Sequence, residues 1–121
     1  MITLKSHGFK YSRPEANMVF DVSFFKNPWR DESIRNEADA EKRKDLIMAY
    51  MKNQEGCETF IERIASLLRF MHMMYPNESL KVALCCSAGE YRSPAMVIML
   101  GEKLEKVGIP IIIEQSKESK I

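Results

Sequence analysis

The sequence contains no apolar run of about eighteen residues, so no membrane-spanning helix is expected. A basic-then-apolar leader is also missing, which makes the cytoplasm the expected compartment and a membrane an unexpected partner. Cysteine is scarce. Its three copies are an odd number, and Cys85 and Cys86 are adjacent. Neighbouring residues on a strand point to opposite faces, so no disulfide framework follows and a reducing environment is implied. Cys57, His72 and Cys85 lack the spacing of a zinc site, and neither a metal nor a cofactor is expected. An excess of one charge is lacking as well, since 18 basic and 17 acidic side chains leave a net charge of +1. Such a balance excludes a global field that would draw the chain onto nucleic acid or an anionic membrane. There is no internal repeat and no low-complexity linker. What remains is 121 residues, 45% hydrophobic and 29% charged, which fits one folded domain over residues 1–121.

Alternation of apolar and polar residues over Ile2 to Ser6 predicts a first strand, followed by a bend at His7-Gly8. The β-branched and aromatic run Met18 to Val22 predicts a second, stopped by Asn27-Pro28, with loop continuing to about Ala38. Asp39 to Lys52 carries Leu46, Ile47 and Tyr50 at helical spacing within a charged segment, the pattern of an amphipathic helix with a solvated outer face. Cys57, Phe60, Ile61, Ile64, Leu67, Leu68 and Met71 recur at intervals of three and four and predict a second helix ending before Pro76. Met71, Met73, Met74, Met96 and Met99 read as pliable core packing.

Lys81 to Cys86 then reads as a strand. Ser93-Pro94 reads as the start of a helix, serine as N-cap and proline at the first helical position, with Met96, Val97, Leu100 and Leu104 as its buried stripe. Gly108 is the expected left-handed stop, Ile109 to Ile113 a returning strand, and Lys117 to Ile121 a frayed tail. Strand, loop, helix and strand in that order form the crossover unit of a parallel sheet. The expected fold is therefore α/β, a small mostly parallel sheet flanked by helices.

Ligands in such sheets bind beyond the carboxyl ends of the strands, which directs attention to Cys86-Ser87-Ala88-Gly89-Glu90-Tyr91-Arg92-Ser93. The helix that follows supplies unpaired N–H donors and a partial positive charge. Gly89 permits a backbone conformation closed to other residues. Arg92 can hold two oxygens of a phosphate in its planar fork, and a guanidinium at a helix N-terminus would be repelled unless an anion lay between. The same surroundings would stabilise a thiolate at Cys86, although a lone cysteine at a strand end is more often a small buried hydrophobe. His7 and Lys10, at the end of the first strand, are further candidates for reaching the ligand.

Two resemblances follow from these residues. The loop, with five residues between Cys86 and Arg92 and then Ser93, resembles the signature of the protein tyrosine and dual-specificity phosphatases. That resemblance implies a nucleophilic Cys86, a phosphate-holding Arg92 and a Ser93 that assists thiolate departure. The histidine usual before the cysteine is here Cys85, and only Asp21 and Asp31 stand in for a general acid.

The second covers most of the chain. Gly8-Phe9-Lys10-Tyr11, Val19-Phe20-Asp21-Val22 with Phe24, Asn27-Pro28 and Ile34-Arg35, followed by the same loop, resemble the C-terminal domain of RapZ-type RNase adapter proteins. It implies an α/β domain that senses an amino-sugar phosphate and, in the full-length adapter, binds small RNA. Departures from the family pattern are Ser23 in place of arginine, and Ala88, Glu90 and Tyr91 in place of glycine, a basic residue and histidine. The basic C-terminal end of the family is reduced to Lys117 and Lys120 beside Glu114 and Glu118, which gives RNA little to hold. The expected function is a small phosphate-ligand-binding domain for a phosphorylated sugar or nucleotide. Its expected ligand contacts are the loop residues Cys86 to Ser93 with help from His7, Lys10 and Arg35. A cysteine-dependent phosphatase is the alternative and an RNA-binding adapter fragment the third reading. An exposed apolar face on Phe24, Phe25 and Trp29 is the expected contact of a homo-oligomer.

Overall fold

A computed structural model describes residues 1–121. Its four strands are β1 (Ile2–Gly8), β2 (Met18–Asp21), β3 (Leu80–Cys86) and β4 (Ile111–Glu114). They form one sheet in the order β2-β3-β1-β4, and every pair is parallel. The helices are α1 (Glu32–Arg35), α2 (Ala40–Asn53), α3 (Cys57–Met74) and α4 (Arg92–Lys106), with a 3-10 turn at Pro28–Arg30. The α/β expectation holds, with a sheet that is parallel throughout.

Handedness explains the layering. Parallel strands are joined by right-handed crossovers almost without exception, so links running in opposite directions across a sheet lie on opposite faces. The links from β2 to β3, through α1 to α3, and from β3 to β4, through α4, run one way and share a face. The link from β1 to β2 runs the other way and crosses the second face as a strap of residues 9–17 without a helix. Lys5 Nζ donates to the Glu15 carbonyl at 3.3 Å, and the Lys81 amide donates to Asn17 Oδ1 at 2.8 Å, fastening the strap to β1 and β3.

The alternation along each strand obeys this division. Ile2, Leu4, Val82, Leu84 and Cys86 belong to the core under the helices, with Ile61, Leu68, Met96, Leu100 and Leu104 opposite them. Ala83 and Cys85 face the other way and are fully buried nonetheless, on the central strand β3. Within α2 the buried residues are Ile47 and Met51. Within α3 they are Cys57, Ile61, Ile64 and Leu68, so the helical period read from the sequence is real, but Leu67 lies outside the buried stripe and Met73 and Met74, expected in the core, are exposed.

Three expectations are corrected. The stretch after β2 is not loop as far as Ala38, because Asn27 Oδ1 caps the 3-10 turn at the Trp29 amide (3.0 Å) and Asp31 Oδ1 caps α1 at the Ser33 amide (2.9 Å). Helix α4 starts at Arg92, one residue before Ser93. Tyr91 holds the cap position without a side-chain bond, which leaves Ser93 inside the first turn and fully buried. The last residues are not frayed: the Lys120 amide donates to the Glu90 carbonyl at 3.0 Å, and Ile121 packs against the core.

Burial pushes the thiols of Cys57 and Cys85 from an ordinary 9.0 up to about 11, with the neighbouring acidic groups Glu58 for Cys57, and Cys86 and Asp21 for Cys85, adding to the effect. A raised acid keeps its proton in the folded state after the unfolded chain has lost it, so this stabilisation is complete below about pH 9 and is lost as the pH climbs toward 11. The melting temperature is therefore expected to fall steeply over that alkaline interval, and Cys57→Ala with Cys85→Ala together should flatten the fall. An unchanged slope in the double variant would show that these thiols contribute nothing to it.

Candidate functional site

Strand β3 ends at Cys86 and α4 starts at Arg92, so residues 87–91 turn the chain at the carboxyl edge of the sheet. Gly89 takes φ +69, the left-handed region that glycine alone enters freely. The turn is pressed against the end of β1. A Cβ on Gly8 would sit 2.6 Å from the carbonyl carbon of Ala88, and one on Gly89 would sit 2.9 Å from the Gly8 nitrogen. Two glycines meeting backbone to backbone are thus what lets the loop fold down on the sheet edge.

The far side of the loop is held by the C-terminal strand and tail. Ser116 Oγ donates to the Gly89 carbonyl at 2.6 Å, while the Ser116 amide donates to Ser6 Oγ at 2.8 Å. Ser6 Oγ in turn donates to Gln115 Oε1 at 2.5 Å, and Gln115 Nε2 donates to the Pro94 carbonyl at 3.0 Å. Lys120 Nζ lies 3.5 Å from Glu90 Oε2, so the one carboxylate of the loop has a cation beside it. This pair is partly exposed and worth little as stability. Its effect is to offset a negative charge next to the loop.

The third tether is Arg92. Its Nη1 donates to the carbonyls of Ser23 at 2.6 Å and Phe25 at 3.1 Å, and its Nη2 donates to Ser87 Oγ at 3.1 Å. The guanidinium is therefore anchored through one nitrogen to the segment after β2, and repulsion from the helix N-terminus is balanced by two carbonyl dipoles. Its Nε makes no bond within the protein, and Nη2 keeps one N–H beyond its bond to Ser87.

Around these tethers the backbone donors are unspent. The amides of Ala88, Gly89, Glu90, Tyr91, Arg92 and Ser93 donate to no acceptor in the protein, and the first bond within the helix is that of the Ala95 amide to the Tyr91 carbonyl, 3.1 Å. A cavity of about 140 Å³ lies here, lined by Asn27, Trp29, Cys86, Ala88, Glu90, Tyr91 and Arg92. Trp29 and Tyr91 form one wall, stacked 5.0 Å apart at 7°. Burial raises the Tyr91 hydroxyl, with Glu90 adding to the shift and Lys120 and Arg43 opposing it. Cys86 is buried, its Sγ 3.3 Å from Ser93 Oγ.

Not every expected residue reaches this place. The alternation of β1 sends His7 to the strap side, where its Nε2 meets the Ser12 carbonyl at 2.8 Å and Ser12 Oγ at 3.2 Å. Lys10 touches the loop only through its backbone, donating its amide to the Ser87 carbonyl at 2.9 Å, while its Nζ lies 5.8 Å from the centre of the Tyr11 ring. Arg35 lines an adjoining cavity and donates from Nη1 to the Trp29 carbonyl at 2.6 Å. Phe25 is buried, so it drops out of the expected exposed apolar face, while Phe24 is 67% exposed. Asn27 and Trp29 were not among the expected ligand residues; the Asn27-Pro28 turn marked the place where the chain folds over the loop.

The fold and the site define a parallel α/β domain with an open donor loop between its central strand and the following helix. The chain belongs to the RapZ C-terminal domain family, whose model matches residues 1–118. It is 32% identical over 114 residues, 91% of its length, to a nucleotide-binding protein of Anaeromyxobacter sp.. A nucleotide-binding protein of Staphylococcus haemolyticus is 32% identical over 88% of the chain, and one of Dictyoglomus thermophilum is 35% identical over 77%. The matched stretch is 38%, 35% and 32% of those relatives, respectively, so the chain corresponds to about a third of each. No helix is long and apolar enough to cross a membrane.

Gly8→Ala isolates the close approach, because the conformation of Gly8 itself is open to alanine and only the contact with Ala88 is at issue. Overpacking of this kind costs about 1–3 kcal/mol. We expect a loss of that size in denaturant unfolding together with shifted amide resonances for residues 87–92. An unchanged loop spectrum would mean that the contact does not set the loop.

Proposed function

We propose that the loop Cys86 to Ser93 holds the phosphate group of a small phosphorylated ligand, a sugar phosphate or a nucleotide, and that the chain acts as a sensor, adapter or sequestering domain. The observation that carries this reading is the run of six amides, Ala88 to Ser93, without protein acceptors at the start of a helix fifteen residues long. Backbone N–H groups at a helix N-terminus bind oxyanions because the donors and the helix dipole act in the same direction. Arg92 adds a charge-assisted grip through Nε and the remaining N–H of Nη2, and Ser87 keeps the guanidinium oriented. Arg35 extends the site on the side of Trp29. The names of the relatives, nucleotide-binding proteins, agree with a phosphate-bearing ligand.

A second reading, phosphoryl transfer with Cys86 as nucleophile, draws on the 3.3 Å contact between Cys86 Sγ and Ser93 Oγ. The one carboxylate lining the cavity, Glu90, is paired with Lys120 and not free to serve the leaving group. Asp21 is occupied by Ser23, whose amide donates to Oδ1 at 2.9 Å, Asp31 caps α1, and neither lines the cavity. Binding of RNA has the near-neutral net charge of +1 against it.

Calorimetric titration with inorganic phosphate tests the binding reading. Wild type should bind, and Arg92→Ala should weaken binding about tenfold or more, the worth of a hydrogen-bonded charge. The same substitution should lower stability by about 1–2 kcal/mol, since it also frees the carbonyls of Ser23 and Phe25. Arg92→Lys should fail to restore affinity, because an ammonium cannot reproduce the fork. Equal isotherms for wild type and Arg92→Ala would refute the site.

Cys86→Ser separates the two chemistries. Under the binding reading it retains affinity within a few-fold, and wild type hydrolyses p-nitrophenyl phosphate at no more than a trace rate. Hydrolysis at ordinary enzyme rates, abolished by Cys86→Ser, would establish the phosphatase instead.

A further inference from the structure

Beside the loop lies a second, larger cavity of about 560 Å³, lined by Ser23, Phe24, Phe25, Lys26, Asn27, Trp29, Arg30, Arg35 and Arg92. It shares Asn27, Trp29 and Arg92 with the loop cavity, so the two adjoin. Four of its lining side chains are cationic and none is acidic.

That concentration is unusual for this molecule, whose 18 basic and 17 acidic side chains nearly cancel. None of the four cations has a carboxylate within salt-bridge distance, because the ion pairs of the protein are Lys103 with Glu62 and Lys120 with Glu90. Asp31, the carboxylate nearest in sequence, has its Oδ1 bound by the amide and hydroxyl of Ser33, at 2.9 Å and 2.7 Å, and feels the charge of Arg35 without pairing with it. Two of the guanidiniums are held in place by backbone carbonyls of one short segment: Arg92 by Ser23 and Phe25, and Arg35 by Trp29 at 2.6 Å. Carbonyls orient a guanidinium without neutralising it. Like charges gathered around one cavity repel each other, and only an anion between them reverses the sign.

The geometry points to a ligand with at least two anionic groups, one on the loop amides and Arg92, the other among Lys26, Arg30 and Arg35. The inference rests on the phosphate-loop reading above and adds its substrate class, a polyphosphorylated or bisphosphorylated small molecule in place of a monophosphate. Arg92 is the shared contact, gripping the loop phosphate while bordering the second cavity. Trp29, 36% exposed, stands at the junction with one face on Tyr91, a position suited to a ligand crossing from one cavity to the other.

The test is calorimetric titration of the full chain with inorganic phosphate, pyrophosphate and tripolyphosphate at about 0.15 M salt, where exposed charges beyond about 8 Å are largely screened. Tripolyphosphate should bind at least about tenfold more tightly than phosphate, as expected for one further charge-assisted contact. Lys26→Ala and Arg30→Ala, both exposed and outside the loop, should remove most of that gain and change phosphate affinity by less than about threefold. Lys106→Ala, at the other end of α4 and about 21 Å along the helix from Arg92, should leave the gain intact. Binding of phosphate with no advantage for tripolyphosphate, or an advantage that survives Arg30→Ala, overturns the inference while the loop site stands. Failure of every anion to bind overturns both. A single-stranded RNA octamer that binds more tightly than tripolyphosphate and depends on Arg30 would also overturn it, reassigning the cavity to nucleic acid.

Discussion

The contact on which the site depends is the meeting of two backbones, Gly8 at the end of β1 and Ala88-Gly89 in the loop after β3. No side chain mediates it, and none can be inserted without moving one of the two segments. Its effect is to fix the loop across the end of the parallel pair β1·β3, whose register runs to Gly8 opposite Cys86. Once the loop is down, its carbonyls are used from below, by Ser116 at Gly89 and Lys120 at Glu90. Its amides are left with nothing. The loop is thus held by its acceptors and offers its donors, which is the division a binding site for an oxyanion requires.

Topology places the remaining parts. Because the crossover from β2 to β3 carries α1 to α3 on the same face as α4, the segment 23–35 at its start is bound to pass beside the loop. Arg92 fastens that segment by its carbonyls, and the Trp29–Tyr91 stack closes it against the loop. The opposite crossover lies on the other face, which is why His7, with its side chain on the strap side of β1, finds Ser12 and not the cavity. Ser6, Gln115 and Ser116 form one short hydrogen-bonded chain from β1 to α4.

Much of this was legible in the sequence where local chemistry and tertiary structure agree. The period of α3, the strand character of β3, and the left-handed glycines Gly89 and Gly108 follow from rules that the rest of the fold does not override. Ser93 misled because Ser-Pro has the form of a helix start, whereas the chain becomes helical at Arg92 and buries Ser93 against Cys86. The tail misled because its residues have no period, and the bond that fixes it reaches 30 positions back, from the Lys120 amide to the Glu90 carbonyl. The role of Arg92 as a tether was likewise out of reach, since its acceptors are carbonyls of Ser23 and Phe25 that no side-chain pattern announces. Lys26 and Arg30 form no pattern in the sequence, and the Asn27-Pro28 turn brings them to one cavity with Arg35 and Arg92.

The central claim, that the unspent amides of the loop receive an oxyanion, is tested most directly by titrating isotopically labelled protein with inorganic phosphate and following the backbone amide resonances. The account predicts saturable shifts concentrated on Ala88 to Ser93, with the Nε–H of Arg92 moving along the same isotherm. Resonances of the loop that stay fixed at saturating phosphate, or shifts spread evenly over the exposed lysines and arginines, would contradict it.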